Sequence, residues 1–230
     1  MTLRAACFDF QDTLAYFVDG HYALYVQAAR ECGVAVTREA VSQPLDDAWA
    51  AYRTPLGIDH SAASADERSF NALRATVHRH RLEAAGVGAA RSEAIARRLL
   101  ELEAQPQHYR LFDDALPALE RLRAAGLRAL VVSNHIWRLP EVADALGLGR
   151  ALDGVLTSAR VGVRKPHPRI YQQALRLAGC EPGEALFVGD SRPHDVEGPR
   201  AAGMSALLLE RGEGERPAGV IRSLAELPLA

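Results

Sequence analysis

Four short segments hold the residues best able to do chemistry. They are Phe8-Asp9-Phe10-Gln11-Asp12-Thr13, Val132-Ser133-Asn134, Gly162-Val163-Arg164-Lys165-Pro166 and Gly189-Asp190-Ser191-Arg192-Pro193-His194-Asp195. Between them they offer two acidic clusters, a hydroxyl and a lysine, a set suited to phosphate. Carboxylates from two loops can hold Mg²⁺, which takes oxygen ligands and commonly one or two carboxylates plus phosphate oxygens. Such an ion cancels the repulsion between an anionic nucleophile and an anionic ester. A carboxylate can attack phosphorus to give an acyl phosphate. A lysine point charge and a serine hydroxyl can hold the remaining phosphoryl oxygens as charge develops.

Composition singles out the lysine. Lysine and arginine total 27, and Lys165 is the one lysine, against 26 arginines. A chain that writes arginine wherever generic positive charge will serve keeps lysine where a compact charge on a thin stem is needed. Chance is the competing explanation, and the neighbours of Lys165 weigh against it.

Five apolar runs must position these segments: 5–10, 127–133, 154–157, 185–189 and 205–209. Near-continuous apolar runs fit strands covered on both faces of a parallel sheet. Helical patterns alternate with them. Residues 113–125 carry Leu116, Leu119 and Leu122 before Gly126, residues 168–178 start with Pro168 and stop at Gly179, and 196–202 precede Gly203. This alternation predicts an α/β fold, a Rossmann-like core with a mostly parallel five-stranded sheet formed by residues 1–16 and 106–230. Residues 17–105 break the pattern and show no strand. They read as helices at 21–31, from a possible capping box at Ser64-Ala-Asp-Glu67, and at 91–103. An all-helical cap inserted after the first strand lies over the carboxyl edge of the sheet, where open α/β sheets bind ligands. Segment 211–217 combines helix breakers with charge and is expected to be a flexible loop.

The net charge of -2 lacks the basic footprint of a non-specific nucleic-acid binder. No apolar run reaches the roughly 18 residues of a membrane span. The start of the chain lacks the layout of a signal peptide, and three cysteines (Cys7, Cys32, Cys180) without a CxxC read as reduced thiols. Cytoplasmic location is the resulting expectation.

The four segments, in this order and spacing, resemble the motifs of the haloacid dehalogenase superfamily of hydrolases, in the form with a helical cap after the first motif. The resemblance covers essentially the whole chain. It implies that Asp9 is the nucleophile and a Mg²⁺ ligand, with the main-chain carbonyl of Gln11, Asp190 and Asp195 completing or supporting the metal site. It implies that Ser133, with Asn134 beside it, binds the phosphoryl group, and that Lys165 pairs with both nucleophile and phosphate. The implied function is Mg²⁺-dependent hydrolysis of small phosphorylated metabolites through an aspartyl-phosphate.

One position departs from the family pattern. Its phosphatases read Asp-x-Asp-Gly-Thr, and this chain reads Asp9-Phe10-Gln11-Asp12-Thr13. The second carboxyl normally moves the leaving group's proton, a role worth about 10²–10⁴-fold, and an amide cannot exchange a proton. Three readings follow: Asp12 takes over proton transfer; the substrate is one whose leaving group needs no acid, such as an acyl phosphate, or turnover of ordinary esters is slow; or the site binds phosphate or a partner without turnover. Dehalogenation ranks behind these, because the acidic segment 189–195 reads as a metal site. Seen singly, Asp9 and Asp190 read as helix-capping acids, but in motif order with Ser133 and Lys165 they read as a metal site; Asp195 divides evenly between that site and a helix cap at Val196, and a turn role is the plainer one for Asp12. His60, His78, His80 and His108 are expected at the surface. His135, His167 and His194 flank the motifs as loop residues, with His194 the most suggestive. Trp49 and Tyr52 are candidates for a cap pocket or for core, Arg97-Arg98 for a solvated face, and an arginine of the cap for the distal end of a substrate.

Overall fold

The computed structural model describes residues 2–43, 59–214 and 217–228; Trp49 and Tyr52 lie outside them. Elements are numbered in chain order among the described residues. The central sheet contains β1 (Ala5–Phe8), β4 (Arg128–Ser133), β5 (Gly154–Thr157), β6 (Ala185–Gly189), β7 (Ser205–Leu209) and β8 (Val220–Ile221). All neighbours pair in parallel, in the order β5-β4-β1-β6-β7-β8. The five expected runs all become strands. The sheet has six strands rather than five because the two-residue pair Val220–Ile221 adds to the edge, too short to stand out as an apolar run.

β1 is fully buried along its length. After it the chain builds β4 and β5 on one side and β6, β7 and β8 on the other. This reversal opens the crevice at the carboxyl ends of β1, β4 and β6, the ligand position of open α/β sheets. Helices α5 (Ala115–Ala124), α6 (Leu139–Ala145), α7 (Ser158–Val161), α8 (Pro168–Ala178) and α9 (Gly198–Ala201) flank the sheet strands in sequence. α8 shows why the sequence folds locally as it does. Pro168 sits at its first turn, Gly179 ends it at φ 62°, and Ile170, Tyr171, Ala174, Leu175 and Ala178 form its buried face.

A second, antiparallel sheet pairs β2 (Ala15–Phe17) with β3 (Tyr109–Leu111), where the chain leaves for the cap and returns. β2 straddles the first expected domain boundary and β3 lies just past the second, and these three-residue strands carry no run long enough to read. Between them lie α1 (His21–Glu31), α2 (Arg38–Ser42), α3 (Glu67–Ala84) and α4 (Ala89–Glu103), which pack on one another. The α3 cap is Asp66, whose carboxylate accepts from the Ser69 amide at 2.7 Å, and not Ser64, which lies in a preceding 3₁₀ turn. Arg211, expected in a flexible loop, is anchored. Its guanidinium donates to both Asp114 oxygens at 2.8 and 2.9 Å and to the Thr13 carbonyl at 2.9 Å, and stacks 3.8 Å from the Phe112 ring centre.

Candidate functional site

Asp9 directly extends β1, its amide bonded to the Val188 carbonyl of β6 at 3.0 Å. This places its carboxylate at the crevice. Ser133 ends β4 and is buried. Asn134 follows and grips the main chain of Lys165: its Oδ1 accepts from the Lys165 amide at 2.7 Å, and its Nδ2 donates to the Lys165 carbonyl at 3.0 Å. The lysine side chain is then fixed. Its Nζ donates to Asp9 Oδ1 at 2.8 Å and to Asp195 Oδ1 at 2.6 Å, with the Phe187 ring centre 5.2 Å away. Only 2% of the Lys165 side chain is exposed, so little room remains for a planar guanidinium.

Asp190 follows β6, and Asp195 returns to it through a π-helical turn over Arg192–Glu197. Such wide turns are frequent at functional sites. Asp195 Oδ2 accepts from the Ser191 amide at 2.9 Å. Gly189 makes this approach possible, since a Cβ there would stand 2.4 Å from the Asp195 carboxyl carbon. Asp195 therefore belongs to the charged cluster and does not cap a helix. Carboxylate oxygens of Asp9, Asp190 and Asp195 lie within 4.8 Å of one another.

Two of the three carboxylates, Asp9 and Asp195, share the Lys165 ammonium. Burial works against the charge of Lys165, but Asp195 and Asp9 outweigh it and hold the group above its ordinary value. Burial pushes Asp195 up, with the Asp9 charge adding to the effect against the opposing ammonium. Asp190, the exposed member, is pushed up to about 7 by desolvation and then by the charges of Asp9, Asp195 and Asp12. The cluster is short of positive charge. A divalent cation with a preference for hard oxygen donors fits this donor set in both chemistry and spacing.

Asp12 stands at φ 59°, where the family pattern has glycine. Aspartate is one of the few residues that tolerates this left-handed geometry. Its Oδ1 accepts from Gln11 Nε2 at 3.0 Å. Gln11 Oε1 is buried without a partner, and Gln11 lines a cavity of about 140 Å³ between the core and the cap. The other walls are Phe17, His21, Arg74, Glu103, Asn134, His135 and Ile136.

The cap side of this cavity is a polar network that the sequence reading missed. Tyr25 Oη lies 2.7 Å from His78 Nδ1, His78 Nε2 lies 3.4 Å from Glu103 Oε2, and Arg74 donates to that same oxygen at 2.6 Å. Tyr109 Oη donates to the Glu103 carbonyl at 2.7 Å. Burial pushes Glu103 up, but the Arg74 guanidinium and His78 outweigh it and hold the carboxyl well below the usual range. Burial lowers His78, whose ring bridges Tyr25 to Glu103. Two cues were readable. Arg74 and His78 share a helix face at i, i+4, and Glu103 extends the buried stripe Ile95, Leu99, Leu102 of α4.

The surface expectation therefore fails for His78 and for His60, both buried in the cap; His60 Nδ1 contacts Ser64 Oγ at 2.9 Å. It holds for His80, which is exposed. His135 is no ordinary loop residue. It packs edge-on against Phe10, is 8% exposed, and leaves Nδ1 without a partner at the cavity. His194 instead contacts Ser191 Oγ at 3.0 Å, and His167 caps α8.

A parallel sheet bearing an acid–lysine cluster at its switch point, with helices closing a polar cavity above it, defines a capped α/β hydrolase. The chain belongs to the haloacid dehalogenase-like hydrolase family, whose model matches residues 3–203. It is 35% identical over 213 residues to human haloacid dehalogenase-like hydrolase domain-containing protein 3, covering 91% of this chain and 82% of that one. It is 31% identical over 232 residues to a phosphoserine phosphatase of Thermus thermophilus, covering 91% and 90%. Its fold matches a 2-haloacid dehalogenase of Pseudomonas syringae with a TM-score of 0.63 at 25% identity, covering 98% and 96%. Relatives of both chemistries share the fold, so the reaction must be argued from side chains. Among the described residues, no helix is long and apolar enough to cross a membrane.

Proposed function

We propose that the chain is a Mg²⁺-dependent phosphatase of small phosphorylated molecules that works through an aspartyl-phosphate on Asp9. The observation that carries this reading is the convergence of Asp9, Asp190 and Asp195 oxygens within 4.8 Å beside the lone lysine. Halide displacement has no phosphate charge to neutralise and gives no reason for this excess of carboxylate. Phosphatases among the relatives point the same way.

Asp9, Asp190, Asp195 and the Gln11 carbonyl would hold the cation, which when bound offsets the charge of the phosphoryl group and the attacking carboxylate. Lys165 holds Asp9 in place through the 2.8 Å bond to Oδ1, and takes a phosphoryl oxygen as negative charge moves outward. Asn134 positions Lys165 through its main chain, and Ser133 supplies a hydroxyl at the end of β4. An Asp9 oxygen bonds to phosphorus as the bond from phosphorus to the leaving oxygen breaks, the electron pair departing with that oxygen. Water then attacks phosphorus, the acyl-phosphate bond breaks, and Asp9 is freed with inorganic phosphate. Gln11 faces the leaving group and cannot protonate it. Good leaving groups are therefore favoured, with Asp12, one residue along and hydrogen-bonded to Gln11, the carboxyl nearest to a proton-transfer role.

The test is phosphate release from an aryl phosphate and an acyl phosphate with Mg²⁺, for the native chain and Asp9→Asn. Release that falls by at least about 10³-fold in the variant is expected from loss of a nucleophile. A native chain inert to both substrates would favour a phosphate-binding relative without turnover.

A further inference from the structure

The cavity above the candidate site is lined by acceptors that nothing among the described residues satisfies. Glu103 is 1% exposed and lines it. Arg74 and His78 both approach Oε2, and Oε1 is left with no partner. Gln11 Oε1 and His135 Nδ1, two further atoms of the same wall, are equally unmatched. Buried acceptors are normally paired, and a buried charged oxygen left alone is costly. The two oxygens among them, Glu103 Oε1 and Gln11 Oε1, in one small cavity point to a ligand that brings donors. The charge count agrees. Arg74 is spent on Glu103 at 2.6 Å, so the cavity offers a second anion little attraction.

We infer that Glu103 is a specificity-determining residue, and that the preferred substrate carries a hydrogen-bond donor, a hydroxyl or an ammonium, on a short leaving group. This rests on the phosphatase reading for the placement of the phosphoryl group below Gln11 and Asn134. The leaving group sits between the core and α3–α4, with Glu103 Oε1 accepting from its donor. Arg74, His78 and Tyr25 act as positioning residues that keep Glu103 ionised and fixed. Size sets a limit as well. A cavity near 140 Å³ matches the roughly 150 Å³ that accepts benzene, so about six non-hydrogen atoms fill it.

The experiment uses phosphonates, whose P–C bond resists hydrolysis, so that binding is read without turnover. Aminoethyl-, hydroxyethyl-, n-propyl- and carboxyethylphosphonate are titrated into the full chain with Mg²⁺ by calorimetry, and again into Glu103→Gln. The two donor-bearing ligands are expected to bind at least about tenfold tighter than the propyl and carboxyethyl ligands. Glu103→Gln should erase the advantage of the ammonium and weaken that of the hydroxyl less, which separates the two sources of the donor. Equal affinity across the four, or tighter binding of the carboxyethyl ligand, overturns the inference even if the variant does not fold, because it is read on the native chain. An unchanged ranking in a folded Glu103→Gln also overturns it. Aryl phosphatase activity without the ranking sinks this inference alone; the ranking without any activity sinks the catalytic reading alone.

Discussion

Two buried polar clusters meet at one cavity, and they balance charge in opposite ways. In the cap, Glu103 is matched by Arg74 and bridged through His78 to Tyr25, and one oxygen is left over. In the core, Lys165 pairs with Asp9 and Asp195, and Asp190 beside them is forced up to about 7. The cap cluster is nearly balanced as folded, whereas the core cluster gathers three carboxylates around one buried ammonium. A site that must choose a substrate can settle its own charges beforehand. On the proposed function, a site that receives a metal and a phosphoryl group stays unbalanced until they arrive.

Gln11 lies on the border between the two and gives the sharpest way to probe the difference. Gln11→Asp places a proton-transferring group against the cavity. Turnover of alkyl phosphates should rise by about 10²–10⁴-fold, the usual worth of general acid–base catalysis, with a much smaller gain on aryl phosphates. Steady-state phosphate release on the two ester classes measures this. Equal gains on both would show that leaving-group protonation is not what the amide withholds.

A smaller effect separates the clusters by the sign of their pH dependence. The folded-state value of Asp190 is raised from near 3.8 to about 7. Its stabilising contribution is therefore full below the unfolded value and lost as pH rises through about 7. Glu103 is depressed, so its contribution is present above the unfolded value near 4.5 and lost as pH falls toward the folded value. Thermal melts of the metal-free chain should show Asp190→Asn flattening the decline between pH 4 and 7, and Glu103→Gln altering only the acid limb. Saturating Mg²⁺ should act like the first substitution and not the second. A shared direction for both variants would break the comparison.

The core site was readable because its parts sit at the ends of strands that announce themselves. Runs such as Leu186-Phe187-Val188 are buried on both faces, so their apolar residues do not alternate, and the polar residue that ends each run marks the sheet's edge. The switch point of the sheet then assembles Asp9, Ser133, Lys165, Asp190 and Asp195 from 187 residues of chain. The cap network had no such frame. Tyr25, Arg74, His78 and Glu103 come from three helices whose mutual packing is set by tertiary contacts, and their positions in sequence do not foretell which polar groups face each other. The same holds for β2, β3 and β8, too short for periodicity to register. Asp12 shows a subtler gap. The sequence displays an aspartate where glycine is usual, but only the backbone at φ 59° explains why the position accepts so few residues.

The central claim is that the unbalanced core carboxylates exist to bind a divalent cation. Crystals of the full chain grown with Mn²⁺ in place of Mg²⁺ test it through anomalous scattering. The account predicts a single strong peak between the carboxylates of Asp9 and Asp190, absent in Asp190→Asn crystals of the same form. Full-occupancy crystals with no peak there, or a peak that persists unchanged without the Asp190 carboxylate, would contradict it.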